Sequence, residues 1–456
     1  MKIQFLGATT TVTGSRYLIT SGNTTVLVDC GLFQGFKSLR LKNWSNFPVD
    51  PKKLDAVFLT HAHLDHSGYI PLLVKQGFRG PVYATRLTID LCGLLLPDSG
   101  YLQEEEARLA NQRGYSKHHP ALPLYTADDA KRSLESFKKV PWYKPNHISR
   151  KGRGNLQFEY HPAGHLPGAA SIVVQGEQAS IAFSGDLGRT SDPLVRAPDP
   201  RFGADYLVVE STYGDRIHPT TDPEDQLRQV VLRTFERSGT VVIPSFAVGR
   251  AQLVLHYLLQ LKRKRAIPDI PVYLNSPMAA QAKHAWSTHS AELKISREEL
   301  AEIWRSVRII GSQEESVALN EKTEPSIIVA ASGMATGGRI LHHLKRFAPH
   351  RQNTILFAGY QAGGTRGDLM VRGAESVKIH GEQWPIRAEV IHLDNLSAHA
   401  DSNELIEWVG SLHRKHRRIF ITHGDRDAAE ALRKRLVNEL GLEASIPEEL
   451  EEFELA

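Results

Sequence analysis

The sequence predicts a layered α/β protein made of two domains, or of one domain carrying a large insertion. Three observations predict it. At 456 residues the chain exceeds what one hydrophobic core usually serves. Short β-branched and aromatic runs repeatedly end in loops bearing histidine or carboxylate and then lead into helical patterns, the strand, loop and helix order of layered folds. Metal-type motifs crowd the first half, stop after Asp215 and return only at His399. That gap is what an insertion would leave.

Composition bounds the class. Hydrophobic residues at 41% with 23% charged describe an ordinary globular protein. No apolar run approaches membrane-spanning length, so no membrane partner is expected. Met1 to Gly7 reads as a first strand and lacks the apolar core of a signal peptide. Only Cys30 and Cys92 are present, which excludes a disulfide framework and points to a reducing compartment, the cytoplasm by default. The formal charge of +4 is compatible with a polyanionic partner without requiring one.

One stretch organises the chemistry. Thr60-His61-Ala62-His63-Leu64-Asp65-His66 follows the strand-like run Ala56 to Leu59 and packs three imidazoles and a carboxylate into six residues. His61 and His63 can turn the same way in an extended loop, whereas Asp65 and His66 lie beyond the turn and face a second point. Two metal ions side by side call for that spacing. Zinc accepts such nitrogen and carboxylate donors at about 2.0–2.2 Å and keeps a position open for water when catalytic.

The remaining elements follow in order. Runs at Arg16 to Thr20 and Thr24 to Val28, separated by Ser21-Gly22-Asn23, predict a hairpin that delivers Asp29 to a strand end. Beside a metal cluster, Asp29 is a candidate for holding a ligand or the attacking water in orientation. Ser67 to Lys75 reads as a helix closed by Gly77, and Leu87 to Val140 as mostly helix, with a capping box at Thr126 to Asp129 before a helix presenting Leu134 and Phe137. Glu104 to Glu106, His118 and His119 read as solvated. His165 sits among small residues between Pro162 and Ala169, a setting that suits a ligand loop and that His161 lacks. The strand Ser180 to Phe183 runs to Asp186, the place for a carboxylate bridging two metals. Glu210 closes another strand.

From there the pattern restarts. Val241 to Pro244, a helix opened by Gly249-Arg250, and Val272 to Leu274 suggest a βαβ unit. Ile327 to Ala330 then leads through Ser332-Gly333-Met334-Ala335-Thr336-Gly337-Gly338-Arg339 into a helix. Glycine-rich turns into helices expose backbone N–H groups and favour phosphate, so Arg250, Ser332, Gly333, Gly337, Gly338 and Arg339 are candidate phosphate contacts. Afterwards Ser397-Ala398-His399-Ala400-Asp401 precedes a helix, and the strand Arg418 to Thr422 presents His423, one more nitrogen for a dinuclear set.

With these residues assembled, the chain resembles the β-CASP family of metallo-β-lactamase-fold nucleases along essentially its whole length, and most closely the RNA-cleaving branch related to the catalytic subunit of the pre-mRNA 3′-end cleavage complex. The resemblance implies an αββα metallo-β-lactamase sandwich at 1–209, an inserted α/β (β-CASP) domain at 210–372, and a return at 373–456. It implies two Zn2+ per chain: one held by His61, His63 and His165, the other by Asp65, His66 and His423, with Asp186 bridging. Glu210 matches the acidic residue that orients His399, regarded as the general acid. His423 stands where DNA-repair relatives have valine, which favours RNA. The chain begins on its first strand and ends soon after His423, so neither the C-terminal domain of some bacterial relatives nor the N-terminal RNA-binding modules of some archaeal ones is expected.

The implied activity is zinc-dependent hydrolysis of single-stranded RNA in processing or decay, endonucleolytic, 5′-to-3′ exonucleolytic or both. A metal-activated water would attack with Asp29 orienting it, and His399 would protonate the departing 3′-oxygen to leave a 5′-phosphate. A cleft between the domains would admit an unstacked strand more readily than a duplex. A homodimer is compatible with the resemblance. One alternative is a small-molecule hydrolase of the same metal fold, which leaves the insertion and its glycine-rich turns without a role. The other is a non-enzymatic RNA-binding scaffold, against which the full ligand set argues.

Overall fold

Alternating burial along the strands drives two sheets together. Tyr17, Ile19, Val26, Val28 and Phe58 of one sheet join Phe158, Tyr160, Ile172, Val174, Ile181, Phe183, Val208 and Phe420 of the other in one buried cluster. The intervening Leu27, Val57, Leu207, Val209, Ile419 and Ile421 are buried as well. Strands hidden on both faces need helices outside each sheet, giving the αββα order. The computed structural model describes residues 1–148, 156–414 and 416–456.

Each sheet of this sandwich has seven strands. The first runs Glu452–Glu454, Lys2–Phe5, Tyr17–Ser21, Thr24–Val28, Ala56–Phe58, Val82–Ala84, Phe137–Lys139. The second runs Ala444–Ser445, Arg418–Thr422, Tyr206–Glu210, Ser180–Phe183, Ala170–Gln175, Leu156–Pro162, Asn146–Ile148. The expected hairpin is present, with Ser21 opposite Thr24 and Gly22 at φ 55° in the two-residue turn. Thr24–Val28 and Ala56–Phe58 are parallel, as are Ser180–Phe183, Tyr206–Glu210 and Arg418–Thr422, so within each sheet the carboxyl ends gather on one edge. Backbone bonds Ala170 N to Thr60 O (2.9 Å) and His423 N to Ala8 O (2.7 Å) stitch the two edges together. The ligand-type residues leave from this seam.

Two helical expectations change. The segment after His63 forms two short helices, Leu64–Ser67 and Ile70–Lys75, so Asp65 and His66 ride on a helical turn rather than a loop. The capping box forms as expected, with Thr126 and Asp129 exchanging side-chain and backbone bonds, but its helix ends at Ser133 and Phe137 begins an edge strand. The long helix Arg86–Arg113 covers the first sheet's outer side together with these.

Backbone contacts divide the chain into one unit of Met1–Gln34, Ser38–Ile217 and His399–Ala456, and another of Gly35–Lys37 and His218–Ala398. This differs from the division expected at 209/210 and 372/373. The reason is hydrogen bonding: Glu389–Leu393 pairs in parallel with Thr354–Ala358 and so belongs to the second unit's sheet. That sheet has six parallel strands in the order Arg308–Ile309, Val272–Asn275, Ile327–Ala330, Val241–Pro244, Thr354–Ala358, Glu389–Leu393. Ile327–Ala330 lies between the two strands of the expected βαβ unit, which is therefore a crossover that skips one position. Among the described residues no helix is long and apolar enough to cross a membrane.

Phe58 and Phe158 stack across the sandwich with ring centroids 4.3 Å apart, both almost fully buried. Phe158→Ala is expected to destabilise the first unit by about 3–5 kcal/mol, and Phe158→Leu by less. Urea unfolding of the pair would check it; equal stability for Ala and wild type would mean the sheets do not depend on this contact.

Candidate metal centre

The strand ends bring the sequence motifs to one buried place. His61 Nε2 lies 3.1 Å from His63 Nδ1, which lies 3.2 Å from His165 Nε2. Asp186 Oδ2 stands 3.5 Å from His61 Nε2 and 3.6 Å from His165 Nε2. On the other side of the same carboxylate, Oδ1 lies 3.1 Å from His66 Nε2, whose ring nitrogen is 3.2 Å from His423 Nε2; that atom is 3.5 Å from Asp65 Oδ2. The donors therefore form one group of His61, His63, His165 and Asp186 and another of Asp65, His66 and His423, and Asp186 Oδ1 reaches the second through His66.

These separations fit a metal. Tetrahedral ligands at about 2.0–2.2 Å lie about 3.3–3.6 Å apart, close to what the nitrogens and oxygens adopt here. Hydrogen bonding alone does not explain the arrangement. His165 Nδ1 is buried with no hydrogen-bond partner among the described residues, and Asp186 Oδ1 has no well-aligned one although His66 Nε2 lies 3.1 Å away. Buried polar atoms normally find one. Beneath the cluster a cavity of about 10 Å³ is lined by Tyr17, Asp29, Thr60, His66, Asp186, Glu210, Thr422 and His423 among others, space on the scale of one ion or water.

Electrostatics prepare the donors. Burial, reinforced by His61, pushes His63 down to about 3. Burial with His66 lowers His61, and burial with His399 and His63 lowers His165 well below the usual imidazole range. Neutral imidazole is the form that binds metal. Burial also opposes the charge on Asp186, but His423, His66 and His61 outweigh it and hold the carboxyl well below its ordinary value.

Asp29 and Glu210 hold rings rather than open space. Asp29, in the left-handed region at φ 58°, accepts from Thr60 N at 2.8 Å, from Thr60 Oγ1 at both oxygens, and from His66 Nδ1 at 2.8 Å. Both Asp29 oxygens are thus engaged by Thr60 and His66, which leaves little for orienting water. Glu210 accepts from Leu187 N at 2.7 Å and from His399 Nδ1 at 3.1 Å. His399 Nε2 then faces Asp186 Oδ2 at 4.0 Å. Burial would lower His399, but Glu210, Asp186 and Asp65 raise it above the usual histidine value. His161 lies apart from the cluster, against Glu159 at 3.1 Å and the Phe202 ring.

Several contributors went unassigned in the sequence. Thr60 Oγ1 lies 3.1 Å from His61 Nδ1, and Thr212 Oγ1 lies 3.1 Å from His423 Nδ1, each fixing a ring from behind. Arg16 is buried, stacked 4.1 Å over Tyr69 and near Phe33, and donates to Gly31 O at 2.7 and 2.9 Å. It thereby pins the turn whose backbone receives the ligand helix: Cys30 N to His66 O, Leu32 N to Leu64 O. Its only sequence signal was an arginine opening an apolar strand.

The candidate phosphate contacts belong to the second unit. The two glycine-rich turns leave adjacent parallel strands and touch, since a Cβ on Gly333 would meet Phe246 at 2.7 Å. Arg339 is less open than expected: Nη1 donates to Asn275 and Ile310 O and Nη2 to Gly311 O, so it braces the loop. Arg250 is buried with Nη2 beneath Gly359. Ser332 Oγ accepts from Thr336 N and Gly337 N, closing the turn on itself.

Gly188 is where the segments bearing Asp186, His165 and His399 meet. It bridges His399, donates its N–H to Ala163 O, and a Cβ there would lie 1.8 Å from Gly164 O. Gly188→Ala is expected to force the His165 loop outward, lowering stability by about 1–3 kcal/mol or more and bound metal with it. Elemental analysis and thermal unfolding read both; an unaltered metal content would show that the loop yields without harm.

Comparison with known proteins agrees with this architecture. The metallo-beta-lactamase superfamily model matches residues 9–93, the Beta-Casp domain model 251–370, and the model described as Zn-dependent metallo-hydrolase RNA specificity domain 383–447. Ribonuclease TTHA0252 of Thermus thermophilus is 36% identical over 96% of both chains. Transcription termination factor FttA of Methanosarcina mazei is 31% identical over 100% of this chain and 72% of that protein. A crystal structure of an Enterococcus faecalis protein of unknown function shares the fold at TM-score 0.52 and 15% identity, covering 99% of each chain. The chain belongs to the β-CASP family of metallo-β-lactamase-fold ribonucleases.

Proposed function

We propose that this chain, a metal-dependent ribonuclease by its family, binds two Zn2+ and hydrolyses single-stranded RNA to products with a 5′-phosphate. The observation that carries the reading is the position of Asp186: one oxygen faces the His61 and His165 nitrogens, with His63 beside them, and the other faces His66, beside His423 and Asp65. In this reading those residues hold the ions. When bound, paired Zn2+ supplies an activated water and neutralises phosphate oxygens.

The chain's own residues do the rest. Asp29 and Thr60 fix His66, and Thr212 fixes His423, so the donors are set before substrate arrives. Glu210 holds His399 by Nδ1, leaving Nε2 to deliver a proton to the departing 3′-oxygen. In the second unit, the backbone of Ser332 to Gly338 contacts RNA phosphate, with Arg339 shaping that loop and Arg250 supporting it from within. A homodimer is compatible with this reading and is not required by it.

Purified protein is expected to carry close to two zinc ions, and His63→Ala to lose RNA hydrolysis while keeping its fold. Full activity in that variant would remove the paired-metal reading. His399→Ala should slow RNA cleavage by roughly 10²–10⁴-fold with both metals retained. A nitrophenyl phosphodiester, whose leaving group departs unprotonated, should be slowed far less. Equal slowing of both substrates, or loss of one metal, would make His399 a ligand or positioning residue instead. RNA labelled at either end distinguishes a ladder from mononucleotide release.

A further inference from the structure

Both sheets of the first unit end on the same connection. Phe137–Lys139 is the last strand of one sheet and Asn146–Ile148 the last of the other, and residues 140–145 cross between them. This strap is chemically one-sided. Residues 137–148 contain three lysines and no aspartate or glutamate, and Lys138, Lys139, Tyr143 and Lys144 are exposed. Among the described residues none of the three lysines has an ion-pair partner. Other surface cations are matched in places, as in Arg108 with Glu105, Arg433 with Glu430 and Arg435 with Glu439.

The strap also carries a built aromatic and cation pair. Buried Asp199 accepts from Tyr143 OH at 2.7 Å and from Arg201 Nε and Nη2 at 2.9 and 2.7 Å. It thereby holds the Arg201 guanidinium 5.6 Å from the Tyr143 ring. The Arg201 side chain is 69% exposed and Tyr143 45%, so the pair faces solvent although its support is buried. Tyr143 is held in the left-handed region at φ 60°, which an aromatic residue adopts only when its surroundings impose it. Those surroundings are the bond from Tyr143 N to Tyr160 O and the edge contact with His161. Asp199 N in turn donates to Pro162 O. The pair is therefore anchored on the strand end that continues directly into the His165 loop.

We infer that the strap is a docking surface for the single-stranded RNA that flanks the cleavage point, with Lys138, Lys139, Lys144 and Arg201 on phosphates and a base stacked on Tyr143. The occupant follows from the chemistry: unmatched cations select a polyanion, and an exposed ring beside a guanidinium offers a stacking face to an unpaired base. This rests on the ribonuclease reading above. The competing explanation is that edge lysines merely guard the sheet ends against pairing with other chains.

The test uses the full-length, zinc-loaded protein, a 20-nucleotide single-stranded RNA, a duplex of the same length and a nitrophenyl phosphodiester. Replacing Lys138, Lys139 and Lys144 together by Ser is expected to weaken single-strand binding at least 10-fold and to flatten its log–log salt dependence by about 2 units. Tyr143→Leu should weaken it by about 5- to 100-fold, whereas Tyr143→Phe, which keeps the ring, restores binding. In each weakened variant the ratio of RNA to diester turnover should fall at subsaturating RNA. Unchanged affinity and salt slope, with new self-association of the triple variant, would overturn the proposal in favour of edge protection. Equal weakening on duplex by Tyr143→Leu would overturn the base contact. Failure of the wild type to cleave any RNA while hydrolysing the diester would overturn the ribonuclease reading, and the strap with it.

Discussion

The rest of the structure depends on one buried carboxylate. Asp186 is almost fully enclosed, keeps its negative charge, and has imidazole nitrogens of His61 and His165 against one oxygen and of His66 against the other. An anion in that position costs several kcal/mol unless positive charge joins it. Burial lowers three of the neighbouring rings, whereas His66 is raised by Asp186 and Asp29 against its burial. A metal bound by these residues would supply further positive charge and would couple ion binding to this unit's stability. The backbone bonds that join the two sheets at the same edge, through Thr60 and Ala8, explain how seven donor-type residues from four separate segments can meet without unfolding the core.

Much of this was legible because ligand chemistry and strand chemistry use different residues. A carboxylate or imidazole at or within three residues of the end of an apolar run is not apolar core packing, and Asp29, His61, Asp186, Glu210 and His423 all announced strand ends in that way. What stayed illegible depended on long-range pairing. Nothing local says that Ile327–Ala330 inserts between Val241–Pro244 and Val272–Asn275, or that Glu389–Leu393 joins the second unit and moves its boundary. Phe137 was misplaced on a helix because three residues of strand carry too little periodicity to outweigh the capped helix before them.

Side-chain roles were harder to read than positions. Arg339 sits in a glycine-rich turn that favours phosphate, yet its guanidinium is tied to Asn275, whose amide meets His343 at 2.6 Å and Ser316 at 2.7 Å inside the second unit. An arginine so braced gives the turn a fixed shape, and the turn then offers its backbone. Arg16 shows the same logic in the first unit. Its hydrogen-bond partners are the neutral Gly31 carbonyl and Asn43 amide, and an aromatic cage of Phe33, Phe47 and Tyr69 carries the charge. In both, a buried or half-buried cation is structural, and only the distribution of its partners reveals it.

The position of His399 follows from how the chain leaves and re-enters the first unit. His399 is 189 residues from Glu210 in sequence yet 3.1 Å from it in space. The departing segment at Gly214 to Arg216 and the returning one at Ser402 lie side by side: Ser402 N donates to Arg216 O at 3.0 Å and Ser402 Oγ to Gly214 O at 2.9 Å. With the ends paired, the closure entropy of the intervening chain is met by the first unit's own contacts, and it grows only slowly with insertion length. Gly188 adds a second tether by pairing with His399 itself. The proposed proton donor is thus fixed by Glu210, Gly188 and the Arg216 to Ser402 junction, all within the unit that holds the candidate metal ligands. A large insertion can therefore change what the enzyme recognises while leaving the donor's place beside Asp186 unaltered.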